Sequence, residues 1–219
     1  MAEAILYLEL LSAATFGRGD GVAGLVDREI EHDADGFPFL RGRTLKGLLL
    51  EAAEDVVFAL GAQGDTSWAA VRDDLFGQPG SGDVGQGILH VGDACIPDAL
   101  RGLVRNERLR SGGKMFTLDE ILAAFTGVRR QTALNPAGGP ARGTLRSMRV
   151  VLRGTRLEAS LLCARDLTAQ EWGLLTGAAL GLRSAGTGRN RGRGWLRATL
   201  NSDDFMRAHF ATLNSRPTA

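Results

Sequence analysis

Apolar and polar positions along this chain sort into a short series of elements. Residues 3–12 (EAILYLELLS) are rich in apolar side chains and run into Gly17–Gly21 (GRGDG), which predicts a buried first strand ending in a loop. The stretch from Gly17 to Phe37 is polar with little periodicity and reads as a loop. From Thr44 to about Leu60, apolar residues fall at Leu45, Leu48, Leu49, Ala52, Val56 and Ala59; that spacing is helical, and Thr44 can cap its start. Gly77–Gly87 (GQPGSGDVGQG) reads as a flexible loop before a strand-like run, Ile88–Ile96. Residues 101–119 are polar and basic, which suggests a mobile stretch. Val128–Arg142 contains NPAGGP and looks like an extended hairpin or loop.

Beyond that point the pattern sharpens. Alternation predicts strands over Leu145–Leu152 and Arg156–Ala164 around a turn at Gly154. A second helix is expected from Thr168 to Leu182, with Glu171 three residues after Thr168 as in a capping box and Gly181 near its end. Trp195–Leu200 is the last predicted strand. The order strand, helix, strands, helix, strand is that of an α+β ferredoxin-like βαββαβ domain, with extra material between its halves. The 219 residues are read as a single domain, 1–219, with an insertion at about 101–150.

Composition changes this picture in a few places. At 44% hydrophobic the chain can bury a core. No apolar run approaches the roughly 20 residues that cross a bilayer, and the N-terminus lacks a basic region ahead of its apolar residues, so no membrane or secretory role is expected. Cys95 and Cys163 are far apart and without metal-ligand spacing, which fits an intracellular, cytoplasmic protein. The net charge is only +1, but acids crowd Asp27–Asp35 and Glu51–Asp55, while arginines crowd 101–110, 129–156 and 183–197. Such asymmetry suggests a basic face on a neutral molecule. Lys46 and Lys114 are the only lysines; Arg suits bidentate phosphate contacts and stacking on bases, although a bias toward Arg codons would give the same composition.

The densest chemistry lies in Arg183–Gly194 (RSAGTGRNRGRG), with four glycines and four arginines. Glycines let a backbone approach a ligand closely, exposed N–H groups can cradle phosphate oxygens, and Arg189, Arg191 and Arg193 add charge at alternate positions. A grip on an RNA backbone is the leading reading. A nucleotide-binding loop is disfavoured, because the GxxxxGK[ST] pattern is missing and the segment follows a helix rather than a strand. A structural turn of basic composition is the third reading.

Four segments resemble a known family. Gly186–Gly194 is similar to the GxGxxRxRGxG loop of the RAMP superfamily of CRISPR-associated proteins. Pro38–Gly47 (PFLRGRTLKG) resembles the PxxPGSSLKG segment that opens the first helix in the backbone subunit of type III (Csm- and Cmr-like) effector complexes; Arg41 replaces the usual proline and Arg43–Thr44 the paired serines, while Lys46 and Gly47 are retained. Leu75–Gly77 resembles the LFG element, and Val128–Pro136 (VRRQTALNP) the VxIDRxTG region leading into a thumb-like hairpin.

The resemblance implies a subunit that stacks along a CRISPR RNA as a filament, with other type III subunits, further RAMP subunits and a complementary target RNA as partners. Specificity would come from base pairing, the protein reading backbone and shape. Arg43, Thr44 and Lys46 at the first helical turn, Arg129 and Arg130 at the thumb, and Gly186, Gly188, Arg189, Arg191 and Arg193 in the loop are the implied RNA-binding residues; a helix N-terminus already favours phosphate. On its own Lys46 would pass for a solvated surface lysine. In active family members an aspartate after the first strand cuts the target RNA, and Asp27 occupies the matching place in AGLVDREIEHD (23–33). Its carboxylate could bind Mg²⁺ or another divalent cation, or orient the target 2′-OH, with Arg28 sharing the work. Open alternatives are a solvated loop in a catalytically inactive RNA-binding scaffold, a CRISPR-RNA-processing endoribonuclease using His32 as general base, and a nucleotide-binding enzyme.

Overall fold

The computed structural model describes residues 1–61, 67–78, 85–133 and 135–214. Its elements in chain order are β1 (Glu3–Leu10), α1 (Gly42–Gly61), α2 (Trp68–Phe76), β2 (Leu89–Val91), α3 (Asp98–Arg110), α4 (Leu118–Phe125), β3 (Thr126–Gln131), β4 (Arg146–Val151), β5 (Arg156–Cys163), α5 (Ala169–Gly181), β6 (Leu196–Leu200) and α6 (Asp203–Phe210). A four-stranded antiparallel sheet has the order β2-β5-β1-β6. In β1α1β2, β5α5β6 terms this is the ferredoxin-like arrangement, with the third core strand between the first and second.

Alternation sets the two faces of the sheet. In β1, Ala4, Leu6, Leu8 and Leu10 are buried while Glu3, Ile5 and Tyr7 are exposed. The first strand is thus half-buried, not buried on both faces as its apolar content suggested. Leu157, Ala159, Leu161 and Cys163 of β5, with Leu196, Ala198 and Leu200 of β6, complete the inner face. Period-two side chains on neighbouring strands line one core, against which α1 and α5 pack through Leu45, Leu49 and Ala53 and through Leu174, Leu175, Ala178 and Ala179.

Local signals place α5 as expected. Thr168 Oγ1 accepts from the Glu171 backbone N–H at 3.2 Å, and a Glu171 carboxylate oxygen accepts from the Thr168 N–H at 2.7 Å. Helix α1 begins two residues before Thr44, and the helix-starting N–H of Gly42 donates to Asp93 Oδ1 at 2.7 Å. The cap therefore comes from the strand side of the sheet.

Other expectations are corrected. The polar stretch 101–119 is not a loose connector: most of it is α3 and the start of α4. Asp98 lies in the first turn of α3 and Arg108 and Arg110 in the last, which suits the helix dipole. Helix α3 has no buried residue and is tethered by ion pairs, Arg101–Asp33 (2.8 Å), Arg105–Asp35 (2.7 Å) and Arg108–Asp35 (3.3 Å). Part of the charge asymmetry read from the sequence is thus neutralised inside the molecule. The strand expected over 88–96 is only three residues long, extended by isolated bridges Leu40–Ala94 and Cys95–Glu158. Strand β4 leaves the core sheet and forms a separate hairpin with β3, in register Val128–Arg149 and Arg130–Ser147. The middle of the Gly77–Gly87 loop (79–84) and Leu134 of the 128–136 segment lie outside the described residues. Among the described residues no helix is long and apolar enough to cross a membrane.

Candidate nucleic-acid interface

The glycine-rich loop runs from the end of α5 back to β6, and it is stitched to the chain just after β1. Thr187 N–H donates to Thr15 O at 2.9 Å and Gly194 N–H to Ala13 O at 3.0 Å. At Gly194 (φ +67°) a Cβ would lie 1.9 Å from Ala185 O, and at Gly186 (φ +90°) 2.6 Å from Thr15 O. Both positions need left-handed backbone and close approach at once, so only glycine fits. The structural-turn and ligand-binding readings of this loop are therefore not exclusive: two glycines shape it, and the shape presents the arginines.

Those arginines diverge. Arg189–Arg191 form a 3₁₀ turn, so the alternate positions do not share a strand face. Arg189 pairs with Glu51 of α1 at 2.8 Å, and Arg191 is exposed. Arg193 turns inward and is 8% exposed; its Nη1 donates to Met148 Sδ at 2.7 Å and its Nη2 to Gln131 Oε1. Burial, with Arg129, Arg191 and Arg28 nearby, pushes the Arg193 guanidinium below the ordinary arginine range. No carboxylate pairs with it among the described residues.

Asp27 faces the same place. Its segment lies parallel to β4 through the Arg28–Met148 bridge. Asp27 N–H donates to Ser147 O at 3.0 Å, and Asp27 Oδ2 accepts from Ser147 N–H at 2.6 Å and Ser147 Oγ at 3.0 Å. These bonds, led by the one from the Ser147 backbone, hold the Asp27 carboxyl below the usual carboxylate range; Arg146 adds to the effect. Two residues on, buried Glu29 pairs with Arg149 Nε at 2.7 Å and locks the segment to the hairpin.

A cleft of about 780 Å³ results, between the 27–28 segment, the base of the β3–β4 hairpin and the glycine-rich loop. Arg28, Arg146, Arg189, Arg191 and Arg193 line it, and Asp27 is its only carboxylate among the described residues. Gly186 and Gly188 form part of its wall. Gly186 and Arg189 also line an adjoining cavity of about 310 Å³ with Thr44 of α1, Thr15, Arg41 and Glu31. The glycine-rich loop and the first turn of α1 are thus brought together.

The remaining sequence-predicted residues separate. Arg43 and Thr44 are exposed at the start of α1. Lys46 is not a solvated lysine: its Nζ donates to Leu89 O of β2 at 2.8 Å, and burial lowers its pKa. Arg129 and Arg130 are exposed on β3; neither lines the basic cleft, and Arg130 lines a second opening with Asp27. His32 does not line the cleft; its Nδ1 contacts Asp33 O at 3.0 Å. Ser147, Arg146 and Gln131 were missed by sequence reasoning. Ser147 meets Asp27 across 120 residues, and no local pattern announces such a pair.

No group of three or more His, Cys, Asp or Glu among the described residues could hold a metal ion. Among the described residues Asp27 is the cleft's only carboxylate, and its Oδ1 accepts no hydrogen bond from them. Magnesium bound through one carboxylate takes the rest of its shell from water and substrate phosphates, so the donor set fits a cation that arrives with RNA.

A comparison with curated proteins returned no match. Among solved structures, a chain of the Type III-B Cmr-beta complex bound to cognate target RNA, determined by cryo-electron microscopy, superposes with a TM-score of 0.64 at 12% identity, covering 94% of this chain and 99% of its own length. A chain of Type III-B Cmr-beta in the apo state superposes with a TM-score of 0.61 at 12% identity, covering 92% and 98%. Residues 7–197 match the profile of the RAMP superfamily, nearly the whole length from β1 into β6. The chain belongs to the RAMP superfamily.

Proposed function

We propose that the chain is a backbone subunit of a type III CRISPR effector complex, which binds CRISPR RNA, stacks with further RAMP subunits and cleaves complementary target RNA at Asp27. The observation that carries this reading is the cleft where Asp27 stands alone among arginines, against the glycine-rich loop. A basic cleft recruits phosphates, and a single oriented carboxylate among them acts on the ribose between two phosphates.

In this reading Arg43, Thr44, Arg189 and the loop backbone hold the guide strand, and Arg28 and Arg191 face the target phosphate, while buried Arg193 braces the hairpin base through Gln131 and Met148. Asp27 Oδ1 accepts the proton of the target 2′-OH. The 2′-oxygen then bonds to the adjacent phosphorus and the 5′-oxygen leaves, taking a proton from water, which gives a 2′,3′-cyclic phosphate and a 5′-hydroxyl. If Asp27 instead holds a divalent cation, the cation would supply charge neutralisation at the phosphate in place of that proton transfer. The arginines answer the charge that develops on the phosphoryl oxygens.

One observation favours a second reading within the same complex. Asp27 Oδ2 is clasped twice by Ser147, and its depressed pKa makes it a weak base; this also suits a loop clasp in a non-catalytic scaffold. Asp27→Asn separates the two. In the assembled complex with guide and target RNA it should lower the cleavage rate at least about 100-fold, as loss of a general base does, with the subunit still incorporated. Intact metal-dependent cleavage by Asp27→Asn would overturn the catalytic assignment.

A further inference from the structure

The core sheet has a bare side. Helices α1 and α5 cover its inner face, while the outer face carries exposed Ile5 and Tyr7 of β1 and Leu162 of β5. Leu11 and Trp195 are exposed at the end of the same sheet, joined by the Leu11 N–H to Trp195 O bond of 2.7 Å. Large apolar side chains grouped on one open face mark an interaction surface rather than ordinary scatter. A groove of about 440 Å³ on this face is lined by Tyr7 and Pro97, with Glu9, Arg156 and Arg197 beside them. Strand register sets Glu9 between Arg156 and Arg197. Glu9 reaches only Arg197, at 4.0 Å, and Arg156 has no carboxylate partner among the described residues. The row therefore keeps uncompensated positive charge.

The helical layer, on the other side of the sheet, carries the converse. At about 100° per residue, Glu51, Glu54, Asp55 and Phe58 of α1 fall on the side opposite buried Leu49. Phe58 is 80% exposed. Glu51 is taken by Arg189, but Glu54 and Asp55 have no ion pair among the described residues. The spacings agree as well. Glu54 and Asp55 stand one helical turn, about 5–6 Å, from Phe58, and the Glu9 row stands two residues, about 7 Å, from Tyr7. We propose that a second copy of this chain docks here: Phe58 of one copy seats in the groove over Tyr7 of the next, with Glu54 and Asp55 on Arg156 and Arg197. Each copy then offers two different faces on opposite layers of the fold, so the contact repeats head to tail and does not close as a two-fold dimer. Glu3, Glu9 and Glu158 on the sheet face disfavour a phosphate backbone as the occupant. A patch four strands wide and five residues long covers roughly 300 Å², well below the roughly 800 Å² per partner of tight complexes, so the contact is weak and reversible. The proposal rests on the stacking part of the proposed function and needs none of its RNA chemistry.

The test is sedimentation velocity of the full-length chain at low salt, without RNA, from about 10 µM to about 1 mM, the range of so small a contact. Wild type should form an open series that runs past the dimer as concentration rises. Phe58→Ser should weaken association about tenfold, the worth of a phenyl ring no longer buried. Arg156→Glu/Arg197→Glu and Glu54→Arg/Asp55→Arg should each stay monomeric, because each sets like charges face to face. All these positions are exposed, and an unchanged thermal midpoint checks the fold. Mixed one to one, the two charge variants should associate again, since one supplies an acidic sheet face and the other a basic helix face. A wild type that stays monomeric throughout, or stops at the dimer, overturns the proposal. Association of the single variants like wild type overturns these two faces and leaves stacking through another surface. A mixture that stays monomeric while wild type associates overturns the pairing of the faces. Crosslinking of 4-thiouridine RNA to Tyr7 or Trp195 assigns the sheet face to RNA and overturns the docked copy. The cleavage assay on Asp27→Asn is independent of every one of these outcomes.

Discussion

Asp27 is defined by its partner. The Ser147 backbone N–H and hydroxyl both donate to Oδ2, which leaves Oδ1 without a hydrogen-bond partner among the described residues. The clasp also sets a sign for pH. A carboxyl whose folded pKa is depressed contributes stability that is present above its unfolded pKa, about 3.9 for aspartate, and lost as pH falls through the lower folded value. The Asp27 limb of any cleavage profile therefore lies below the ordinary carboxylate range, and a limb between pH 6 and 7 would assign the proton transfer to a histidine instead. Ser147→Ala removes the hydroxyl bond and keeps the backbone one. Asp27 should then titrate higher, as read by carboxyl carbon NMR of the chain alone, and Ser147→Thr should restore it. Asp27 was picked out as a candidate by the likeness of residues 23–33 to a family segment. Ser147 was not, because its role exists only once the hairpin lies beside the 27–29 segment.

At the level of elements, legibility followed burial. Strands β1, β5 and β6 and helices α1 and α5 were readable because each puts an apolar face on one core, and the Thr168/Glu171 box marks where α5 starts. Helix α3 was missed because none of its residues is fully buried and its apolar spacing, Leu100, Leu103 and Val104, stops after about one turn, with only Val104 packed against the core. Strand β4 was readable as a strand but not in its pairing, since alternation does not name a neighbour; its partner is β3. The same difference predicts dynamics. Helix α3 is held by Arg101, Arg105 and Arg108 on Asp33 and Asp35, partly exposed pairs each worth about 1 kcal/mol or less. Hydrogen exchange in α3 should be faster than in α5 and should speed up further with added salt. Asp35→Asn should reproduce that loosening at low salt while leaving the urea midpoint of the core nearly unchanged. Salt-insensitive, α5-like protection in α3 would show that side-chain packing, not charge, holds it.

For the molecule as a whole, the +1 net charge conceals a separation that folding completes. Acids at 33 and 35 are spent on α3, Glu29 on Arg149, Glu51 on Arg189, and what remains around Asp27 is mostly arginine. Not every basic residue in a recognisable motif belongs to that surplus. Lys46 is a retained residue of the family-like Pro38–Gly47 segment, yet its ammonium is half-buried on the carbonyl of Leu89. Arg191 carries no such tie among the described residues and is exposed on the cleft. The two substitutions therefore separate. Each phosphate neutralised on a single strand contributes about 0.7 to the slope of log affinity against log salt. Arg191→Gln should flatten that slope for single-stranded RNA by about 0.7 and leave thermal stability unchanged. Lys46→Gln should leave the slope as it is and lower the unfolding midpoint, because it removes a charge-assisted bond that ties α1 to β2, worth roughly 1.5–3 kcal/mol. Were Lys46→Gln to flatten the slope with no loss of stability, its ammonium would have to leave Leu89 for a phosphate, and the guide-side grip would include it after all.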